Sequence, residues 1–510
     1  MMQKILKLNA ECESYYLNGD YNSALRTGLA ALVLDKNSPI VHHNLGATYY
    51  QQNDYKKAIY HCQKAASLFT AINQYNRETI ITLCNSLIMV GKLNDAKSLA
   101  LQAYQGTKDI VFDGLGKTCD LVLYQKIVSA IGGVFDAATI SNNIVFGAIH
   151  SYRIGHLAAN TEMYLRLRQL GRIPDDKTYI FVSGENPANR QLLEMYKKHL
   201  TIIENQILFE FLMQYGPRVL NHWINTYTLY KSTEYEEFTT TDTTIQFTPE
   251  EEERGRSELS SMGIGKYDWF VCVFSRDSEY LNVHTVGADW SYHDYRDDDI
   301  NTYRKAIKYI IDNGGFVVRI GQYVSQKLRL KHNRMIHYAG SDFRNDFMDI
   351  YLCAKCRFIM GSGSGIINAA TDPFETPYLG INCVPIGLKP YTKKSMYIPK
   401  KIKQIESDQF LAYKSFFSEF NDRDNPAFGD GVKLKELGYL HIDNTEEEIY
   451  EATVEMLKLL ENDFTFSDDD RELLERYYAL YPDDHFNKKN KTPIAISFLK
   501  RNYKLFFGDE

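Results

Sequence analysis

The stretch RFIMGSGSG, residues 357–365, joins a short apolar run to five residues that are only Gly and Ser. The small and aliphatic residues IINAA follow it directly at 366–370. This order predicts a buried strand, a tight loop and the start of a helix. Backbone N–H groups in such a loop can approach an anion closely, and a helix N-terminus and Ser hydroxyls add attraction. We interpret residues 361–365, the Gly/Ser loop, as a candidate phosphate site; the alternative is a simple turn.

The overall composition is that of a soluble globular protein with two or three domains, since its 510 residues are 44% hydrophobic and 24% charged. A net charge of −7 argues against a nucleic-acid partner, which would need a basic face. No long apolar run or signal peptide occurs, so we expect a cytoplasmic protein without a transmembrane segment. The one Cys-x-x-Cys pair, Cys353 and Cys356, has no zinc partner at the usual spacing, which indicates reduced core thiols.

A repeat occupies the N-terminal part of the chain. The sequence GDYNSAL at 19–25 recurs as NDYKKAI at 53–59, 34 residues later, and more loosely as GKLNDA at 91–96. This pattern resembles the tetratricopeptide repeat over residues 5–105 and predicts stacked helix pairs with a concave face. That face could bind a protein partner; the alternatives are that the solenoid packs on the catalytic part or forms a dimer.

An α/β pattern begins near residue 143. Residues 143–149 and 178–183 predict strands and residues 157–170 a helix between them, which indicates a parallel sheet. The predicted loop RIGH at 153–156 follows the first strand, where open α/β sheets bind their ligands. We therefore assign Arg153 and Gly155 to an acceptor side, where His156 could position an acceptor or a donor phosphate or act as a base. The alternative is a structural role for His156 in the turn.

A second α/β unit follows a Thr-rich and acidic segment, 232–248, that predicts a linker or an exposed excursion. The sequence TPEE at 248–251 predicts a capped helix that ends near Met262. Further strands are predicted at 269–274, 315–321 and 376–382, and helices at 300–311 and 347–355. The first of these strands delivers residues 275–277 to its carboxyl end.

Three features of this second unit are less specific. The three Asp residues at 297–299 could imitate a metal-binding motif, but helix-start chemistry is the better interpretation because acidic residues favour a helix N-terminus. Residues 389–403 predict a Lys-containing loop. Helices are predicted after Thr445 and Ser467, each with a capping-box pattern.

The order of these elements resembles the donor half of GT-B glycosyltransferases. A strand ending in Ser-Arg-Asp at 275–277, the Ser-Asp pair at 341–342 and the Gly/Ser loop are similar to the fucosyltransferase-like branch. The sequences IGHLA at 154–158 and Tyr-Arg at 295–296, with the Gly/Ser loop, resemble a family of bacterial proteins assigned as glycosyltransferases of surface carbohydrates. The resemblance covers residues 144–390.

The resemblance implies roles for individual residues. Arg276 would pair with the donor diphosphate, because a planar guanidinium suits two oxygens, and Asp342 would accept a hydrogen bond from the nucleobase. The other donor-binding residues would be Arg319, Ser362, Gly363, Ser364 and Gly365. The candidates for the base that deprotonates the acceptor are His156, Glu185 and Asp277, and the sequence does not choose among them.

One departure from the pattern bears on activity. The chain has Phe-Ser-Arg at 274–276 where the fucosyltransferase-like pattern has His-x-Arg. This departure favours an alternative in which the transferase half is inactive and the chain is a tetratricopeptide-based binding module. Arg276, Asp342 and the Gly/Ser loop favour an active enzyme.

The sequence thus predicts an α/β protein with an N-terminal all-α solenoid, in which tetratricopeptide repeats precede a GT-B-like pair of Rossmann-type domains. The predicted domains are a solenoid at 1–106, a helical connector at 107–140, an acceptor-side domain at 141–262, a nucleotide-sugar donor domain at 263–440 and C-terminal helices at 441–510. The predicted activity is transfer of a sugar from a nucleoside-diphosphate donor to a glycan or protein, without a metal ion or cofactor.

Overall fold

A computed structural model describes residues 2–140, 143–219, 223–229, 235–276, 291–322, 324, 326–419, 429–461, 465–483, 485 and 487–508. These residues form two compact units. The first unit holds residues 2–140 and 205–219, and the second holds the other described residues.

The first unit consists of helices. They begin with α1 Met2–Leu17, α2 Tyr21–Leu34, α3 Pro39–Gln51, α4 Tyr55–Ala71, α5 Arg77–Met89, α6 Leu93–Thr107 and α7 Ile110–Ile140. Asp20 and Asp54 are the N-cap residues of α2 and α4, the second helices of the first two repeats. Each carboxylate accepts a hydrogen bond from a backbone N–H three residues further on. The repeated Asp thus has a physical role, because it satisfies an N–H group that the helix leaves without a partner.

The second unit contains two parallel sheets. The first consists of β1 Ile144–Ala148, β2 Thr178–Ser183, β3 Thr201–Glu204 and β4 Trp223–Asn225, in the order β3-β2-β1-β4. The second consists of β5 Phe270–Phe274, β6 Phe316–Arg319, β7 Met335–Ile336, β8 Ile359–Gly361, β9 Tyr378–Cys383 and β10 Met396–Pro399, in the order β10-β9-β8-β5-β6-β7. A small antiparallel sheet pairs β11 Lys401–Gln404 with β12 Tyr439–Ile442.

Helices and two short 3-10 segments connect and cover these strands. The helices from residue 154 to 312 are α8 Ile154–Gln169, α9 Arg190–Lys197, α10 Gln206–Val219, α11 Thr226–Leu229, α12 Tyr235–Thr240, α13 Pro249–Ser261 and α14 Arg304–Asp312. Those that follow are α15 Asp346–Lys355, α16 Gly365–Phe374, α17 Tyr413–Glu419, α18 Gly431–Glu436, α19 Glu446–Leu460, α20 Asp468–Ala479, α21 Ile496–Arg501 and α22 Tyr503–Phe507. The 3-10 segments are Ser291–Arg296 and Ile300–Tyr303.

The core of the second unit lies between the sheets and their helices. The central strand β5 is buried on both faces at Val271, Cys272 and Val273, as a parallel sheet covered by helices requires. This arrangement brings the carboxyl ends of β5, β6, β8 and β9 to one edge, and the Gly/Ser loop leaves β8 at that edge.

The predicted fold class is confirmed: an all-α solenoid is followed by two Rossmann-type parallel-sheet domains. The predicted capped helices are confirmed as well, because Thr248, Thr445 and Ser467 each form a capping box. The domain boundaries stay predictions, although α10, which lies inside the predicted domain 141–262, packs against α7 in the first unit.

Three local expectations were wrong. Helix α8 begins at Ile154, so His156 lies in its first turn and not in a loop. Segment 235–248 is not an exposed excursion, because two of its own side chains, Phe238 and Ile245, are buried. The predicted loop at 389–403 contains β10 and most of β11. Segments 235–248 and 389–403 were misjudged because most of their residues are polar. The burial of their few apolar residues depends on distant parts of the chain.

Candidate functional site

Two helix N-termini meet at the edge of the second unit's sheets. Helix α8 follows β1 and helix α16 follows β8, and their first turns touch at Gly155 and Gly365. A Cβ on Gly155 would lie 2.7 Å from the Cα of Gly365, and one on Gly365 would lie 2.8 Å from the backbone N of Gly155. Only glycine permits this approach. Because each helix N-terminus carries a partial positive charge, the contact creates a place that favours an anion.

The Gly/Ser loop is tied to the end of β5. Gly361 has a φ of +150°, and a Cβ there would lie 1.8 Å from the carbonyl oxygen of Phe274. The buried Ser362 hydroxyl accepts a hydrogen bond from the Arg276 N–H (3.0 Å) and donates to Asp298 Oδ1 (3.1 Å). Since a hydroxyl has one proton to donate, the geometry gives Ser362 a protein partner in place of the predicted phosphate. Ser364, the N-cap of α16, forms no side-chain capping bond.

The carboxylate of Asp298 connects several residues at this edge of the sheet. Its buried carboxylate accepts hydrogen bonds from Ser362, from Asn382 Nδ2 (3.2 Å) and from the Tyr303 hydroxyl. Burial raises the pKa of Asp298, and these hydrogen bonds oppose that effect. The interpretation of the Asp run as a helix start holds for Asp299, which caps the 3-10 segment Ile300–Tyr303, and not for Asp298.

Three guanidinium groups affect the pKa of His293. Arg276 donates from Nε to Asp297 Oδ1 (3.1 Å), and Arg296 donates from its terminal nitrogen to the Gly363 carbonyl (2.9 Å). The Nε of Arg296 is buried and has no hydrogen-bond partner among the described residues. Burial lowers the pKa of His293 to about 4, with further lowering by Arg296, Arg276 and Arg153. All three arginines are therefore close enough to act on one imidazole.

Charge at this place is only partly balanced. Burial lowers the pKa of Arg296, and the neighbouring Arg276 lowers it further. A nearby anion would offset the repulsion between these two guanidinium groups. The arrangement can thus bind a phosphate or a diphosphate and stabilise negative charge that develops on it.

His156 lies in the first turn of α8, next to Gly155. Its Nδ1 is 3.0 Å from Oδ1 of Asn160, one helical turn further on. Because a carboxamide oxygen can only accept, Nδ1 carries the proton and Nε2 keeps a lone pair. Burial lowers the pKa of His156, so the imidazole is neutral near pH 7. A neutral imidazole with a free Nε2 can take a proton from a hydroxyl.

The other predicted site residues lie further along the sheet edges. Arg319 is buried at the end of β6, where its carbonyl accepts from the Ala339 N–H (3.0 Å). Asp342 is exposed in the turn after β7, and Glu185 is exposed after β2. Asp277 lies outside the described residues. The structure thus brings together Arg153, Gly155, His156, Arg276 and the Gly/Ser loop.

Sequence reasoning missed the roles of Arg296, Asp298 and Asn160. Arg296 contacts Gly363, which is 67 residues away, so no local spacing connects the two. Asp298 is the second of three consecutive Asp residues, and each of the three accepts a hydrogen bond from a different group. Residue type alone therefore does not distinguish their roles. Only the His156 and Asn160 pair had a readable signal, because residues four apart share a helix face.

No group of three or more His, Cys, Asp or Glu within the described residues is placed to hold a metal ion. Within the same part of the chain, no helix is both long and apolar enough to cross a bilayer.

Two family models match the N-terminal part of the chain. A model described as a tetratricopeptide repeat matches residues 39–69, and one described as a TPR repeat matches residues 13–53. These matches confirm the predicted repeat. No curated protein matches the chain.

The chain is similar to several solved glycosyltransferase structures. An O-GlcNAc transferase mutant from Thermobaculum terrenum has 10% identity and a TM-score of 0.31, with 100% of this chain and 98% of that chain covered. A family 9 glycosyl transferase from Veillonella parvula has 12% identity and a TM-score of 0.37, with 62% and 97% covered. The E. coli ADP-heptose lps heptosyltransferase II has 14% identity and a TM-score of 0.35, with 50% and 90% covered. Similarities this low establish no activity for this chain.

Proposed function

We propose that this chain is a glycosyltransferase that moves a sugar from a nucleoside-diphosphate donor to a hydroxyl of a surface glycan or a protein. The observation that supports the proposal is that Arg153 is the N-cap residue of α8, whereas Arg276 and Arg296 hydrogen-bond to loop residues directly before α16, and the two helices touch. Two linked phosphates carry enough negative charge to engage several guanidinium groups and two helix N-termini together. The neutral His156 beside this place supplies a base.

On the donor side, the chain's residues would stabilise the leaving group. As the bond between the anomeric carbon and the diphosphate breaks, its electron pair moves to a phosphate oxygen. Arg276 and Arg296 would lie beside that developing charge, and the first turn of α16 would face it with backbone N–H groups. These groups suffice for charge stabilisation, so the proposal keeps the predicted chemistry without a metal ion or a cofactor.

On the acceptor side, His156 would take the proton of the attacking hydroxyl at Nε2 while the acceptor oxygen bonds to the anomeric carbon. The hydrogen bond from Nδ1 to Asn160 orients the imidazole and stabilises the imidazolium that forms. Glu185, which is exposed after the end of β2, is the second candidate base. Asp277 stays a sequence-based candidate, as does Asp342 for the nucleobase.

The tetratricopeptide solenoid would hold a protein, either as the acceptor or as a partner that brings the acceptor. The two helix pairs at 2–71 present the repeated surface on which such a partner would bind. We propose a cytoplasmic location for the reaction, where nucleotide-activated sugars are made available to such an enzyme.

A second candidate function is a binding module with an inactive transferase-like domain. The Ser362 hydroxyl favours this candidate, because it is committed to Asp298 and cannot donate to a phosphate without leaving that carboxylate. Nucleotide binding separates the two functions.

The test is a thermal-shift measurement on the full chain with UDP, GDP, CMP, dTDP and ADP. A ligand at a hundred times its dissociation constant adds about 2.7 kcal/mol of stability. We expect a shift with one diphosphate that is lost in Arg276→Ala and in Arg296→Ala. The matched control is Arg256→Ala, which removes an exposed guanidinium paired with Glu253 on α13. A folded protein that shifts with none of the nucleotides would contradict the proposal and favour the binding module.

A further inference from the structure

Four rings cluster at the carboxyl end of β1, beside the proposed base. The ring of His150 lies 5.7 Å from that of Tyr152 and 5.2 Å from that of Tyr227, measured between centroids. His156 lies 6.4 Å from Tyr152 and 5.2 Å from Tyr227. His150 is buried, whereas Tyr152 and Tyr227 are each 50% exposed. The cluster therefore has a polar interior and an aromatic surface.

A chain of hydrogen bonds assigns the proton positions within this cluster. Asn225 Oδ1 accepts from the Tyr227 N–H (3.0 Å), which fixes the orientation of the carboxamide. The same oxygen is 3.1 Å from Nε2 of His150, so Nε2 carries the proton and Nδ1 has the lone pair. The Tyr152 hydroxyl, 3.2 Å away, therefore donates to Nδ1. Burial lowers the pKa of His150 to about 4, so this arrangement persists at neutral pH.

The Tyr152 hydroxyl bonds to a protein group and not to water, although Tyr152 lies at the surface. A tyrosine at a surface normally keeps its hydroxyl in water and covers its ring. In Tyr152 the hydroxyl is bound to a buried His and half of the side chain is exposed. The bond also holds the ring in one orientation, so a ligand that stacks on it does not have to order it first.

We infer that Tyr152 is a stacking surface for a pyranose ring of the acceptor, held in place by His150. This inference rests on the proposed glycosyl transfer. The acceptor must present a hydroxyl to His156 and an apolar face to a ring centred 6.4 Å from that imidazole. A pyranose carries both features within one ring, because its axial C–H groups form an apolar face and its hydroxyls surround it. A Ser or Thr side chain carries the hydroxyl but no flat apolar face.

The two histidines add no charge to the cluster, whereas Arg153 acts on both Tyr152 and His156. Neither His150 nor His156 carries a charge near pH 7, since burial lowers both pKa values. Uncharged aromatic surfaces with a few fixed polar groups are typical of sites for uncharged polar ligands. The two arms of the experiment below distinguish a glycan acceptor from a peptide.

The experiment is saturation-transfer NMR on the full chain, with the nucleotide that gives a thermal shift present at saturation. The probes are the methyl α- and β-pyranosides of glucose, galactose, mannose and N-acetylglucosamine, and a Ser/Thr peptide. We expect saturation transfer to the C–H protons on one face of at least one pyranoside. Tyr152→Ala should weaken that binding about tenfold, the value of a lost aromatic contact.

Two further variants separate stacking from folding. Tyr152→Phe keeps the ring and removes the hydrogen bond to His150, so binding should weaken only about threefold. Tyr267→Ala removes a 91% exposed tyrosine in the turn before β5 and should change nothing. The inference is overturned if only the peptide receives saturation, if no pyranoside does, or if Tyr152→Ala binds like the parent. Any of these results with an intact nucleotide shift leaves the proposed function standing, whereas loss of the nucleotide shift removes both.

Discussion

A buried carboxyl group between α8 and α16 makes the stability of the second unit depend on pH. The side chains of Glu162 and Arg166 are fully buried, and Arg166 Nε lies 3.2 Å from Glu162 Oε1. The same guanidinium donates to the Asp372 carbonyl (3.0 Å) and lies 3.4 Å from Glu375 Oε1. One positive charge thus faces two carboxyl groups and one backbone carbonyl. Burial raises the pKa of Glu162 to about 8, which Arg166 opposes and Asp372 reinforces.

The size of the effect follows from this pKa. The pKa rises from 4.5 in the unfolded chain to about 8 in the folded one, and a tenfold change in proton affinity is worth about 1.4 kcal/mol. The folded state keeps a proton that the unfolded state releases, so stability falls as pH rises from 4.5 to 8. The loss is roughly 3 kcal/mol by pH 7 and below about 1 kcal/mol at pH 5.

Glu162→Gln should remove this loss, because Gln has the same shape and stays neutral. We expect the variant to be more stable than the parent by about 3 kcal/mol at pH 7 and by less than about 1 kcal/mol at pH 5. Urea unfolding followed by tryptophan fluorescence measures the difference. Trp223 and Trp269 both lie in the second unit, so the signal reports on the unit that contains Glu162.

The matched control is Glu194→Gln on α9. Glu194 is 46% exposed and pairs with Lys197, so its replacement should change stability by no more than about 0.5 kcal/mol at either pH. If Glu162→Gln destabilises the protein at pH 7, then Glu162 is ionised and paired with Arg166 in the folded state. That result would refute the reasoning.

Three further predictions concern the site and the solenoid. Gly155→Ala should lower the free energy of unfolding by about 1–3 kcal/mol, because its Cβ would lie 2.7 Å from the Cα of Gly365. Gly363→Ala should leave it unchanged, because a Cβ there meets no atom within 4 Å. Thermal unfolding measures both. His156→Gln should slow transfer by about 10²–10⁴, and the parent's rate should fall with decreasing pH only below the ordinary His pKa of 6.5, since burial lowers this group's pKa. His42 and His61 share a buried hydrogen bond (3.0 Å), and burial lowers the pKa of His61 to about 4, so the folded solenoid loses stability as pH falls below 6.5. The hydrogen-exchange protection factors of α3 and α4, which correct for the intrinsic pH dependence of exchange, should therefore fall as pH decreases from 6.5 towards 4.

Much of the fold could be predicted because its signals are local. The repeated Asp-Tyr turns recur at a period that the family models also match, since each helix pair must bury the same apolar stripe. The strands before Ser275 and Ser362 were predictable as short apolar runs that end in small polar residues. The capping boxes at Thr248 and Thr445 were predictable because both partners lie within four residues.

The candidate site was predictable only in part. Arg276, His156 and the Gly/Ser loop stand at the ends of predicted strands, where parallel sheets place their ligands, so their position followed from topology. The commitment of Ser362 to Asp298 did not, because a buried hydroxyl takes whichever acceptor packing brings to it. The burial of Phe238 was missed for a similar reason, since its ring lies beneath Arg166, 72 residues earlier in the chain.

Residues a few positions apart therefore decided the helices, strands, caps and repeats of this protein, because the backbone geometry of those elements depends on neighbours. The meeting of Gly155 with Gly365 and of Arg296 with Gly363 depends instead on how two sheets and their helices pack. Long-range contacts of this kind arise from the shape and burial of whole surfaces. The tertiary structure alone thus decided that Arg276 and Arg296 both hydrogen-bond to the Gly/Ser loop.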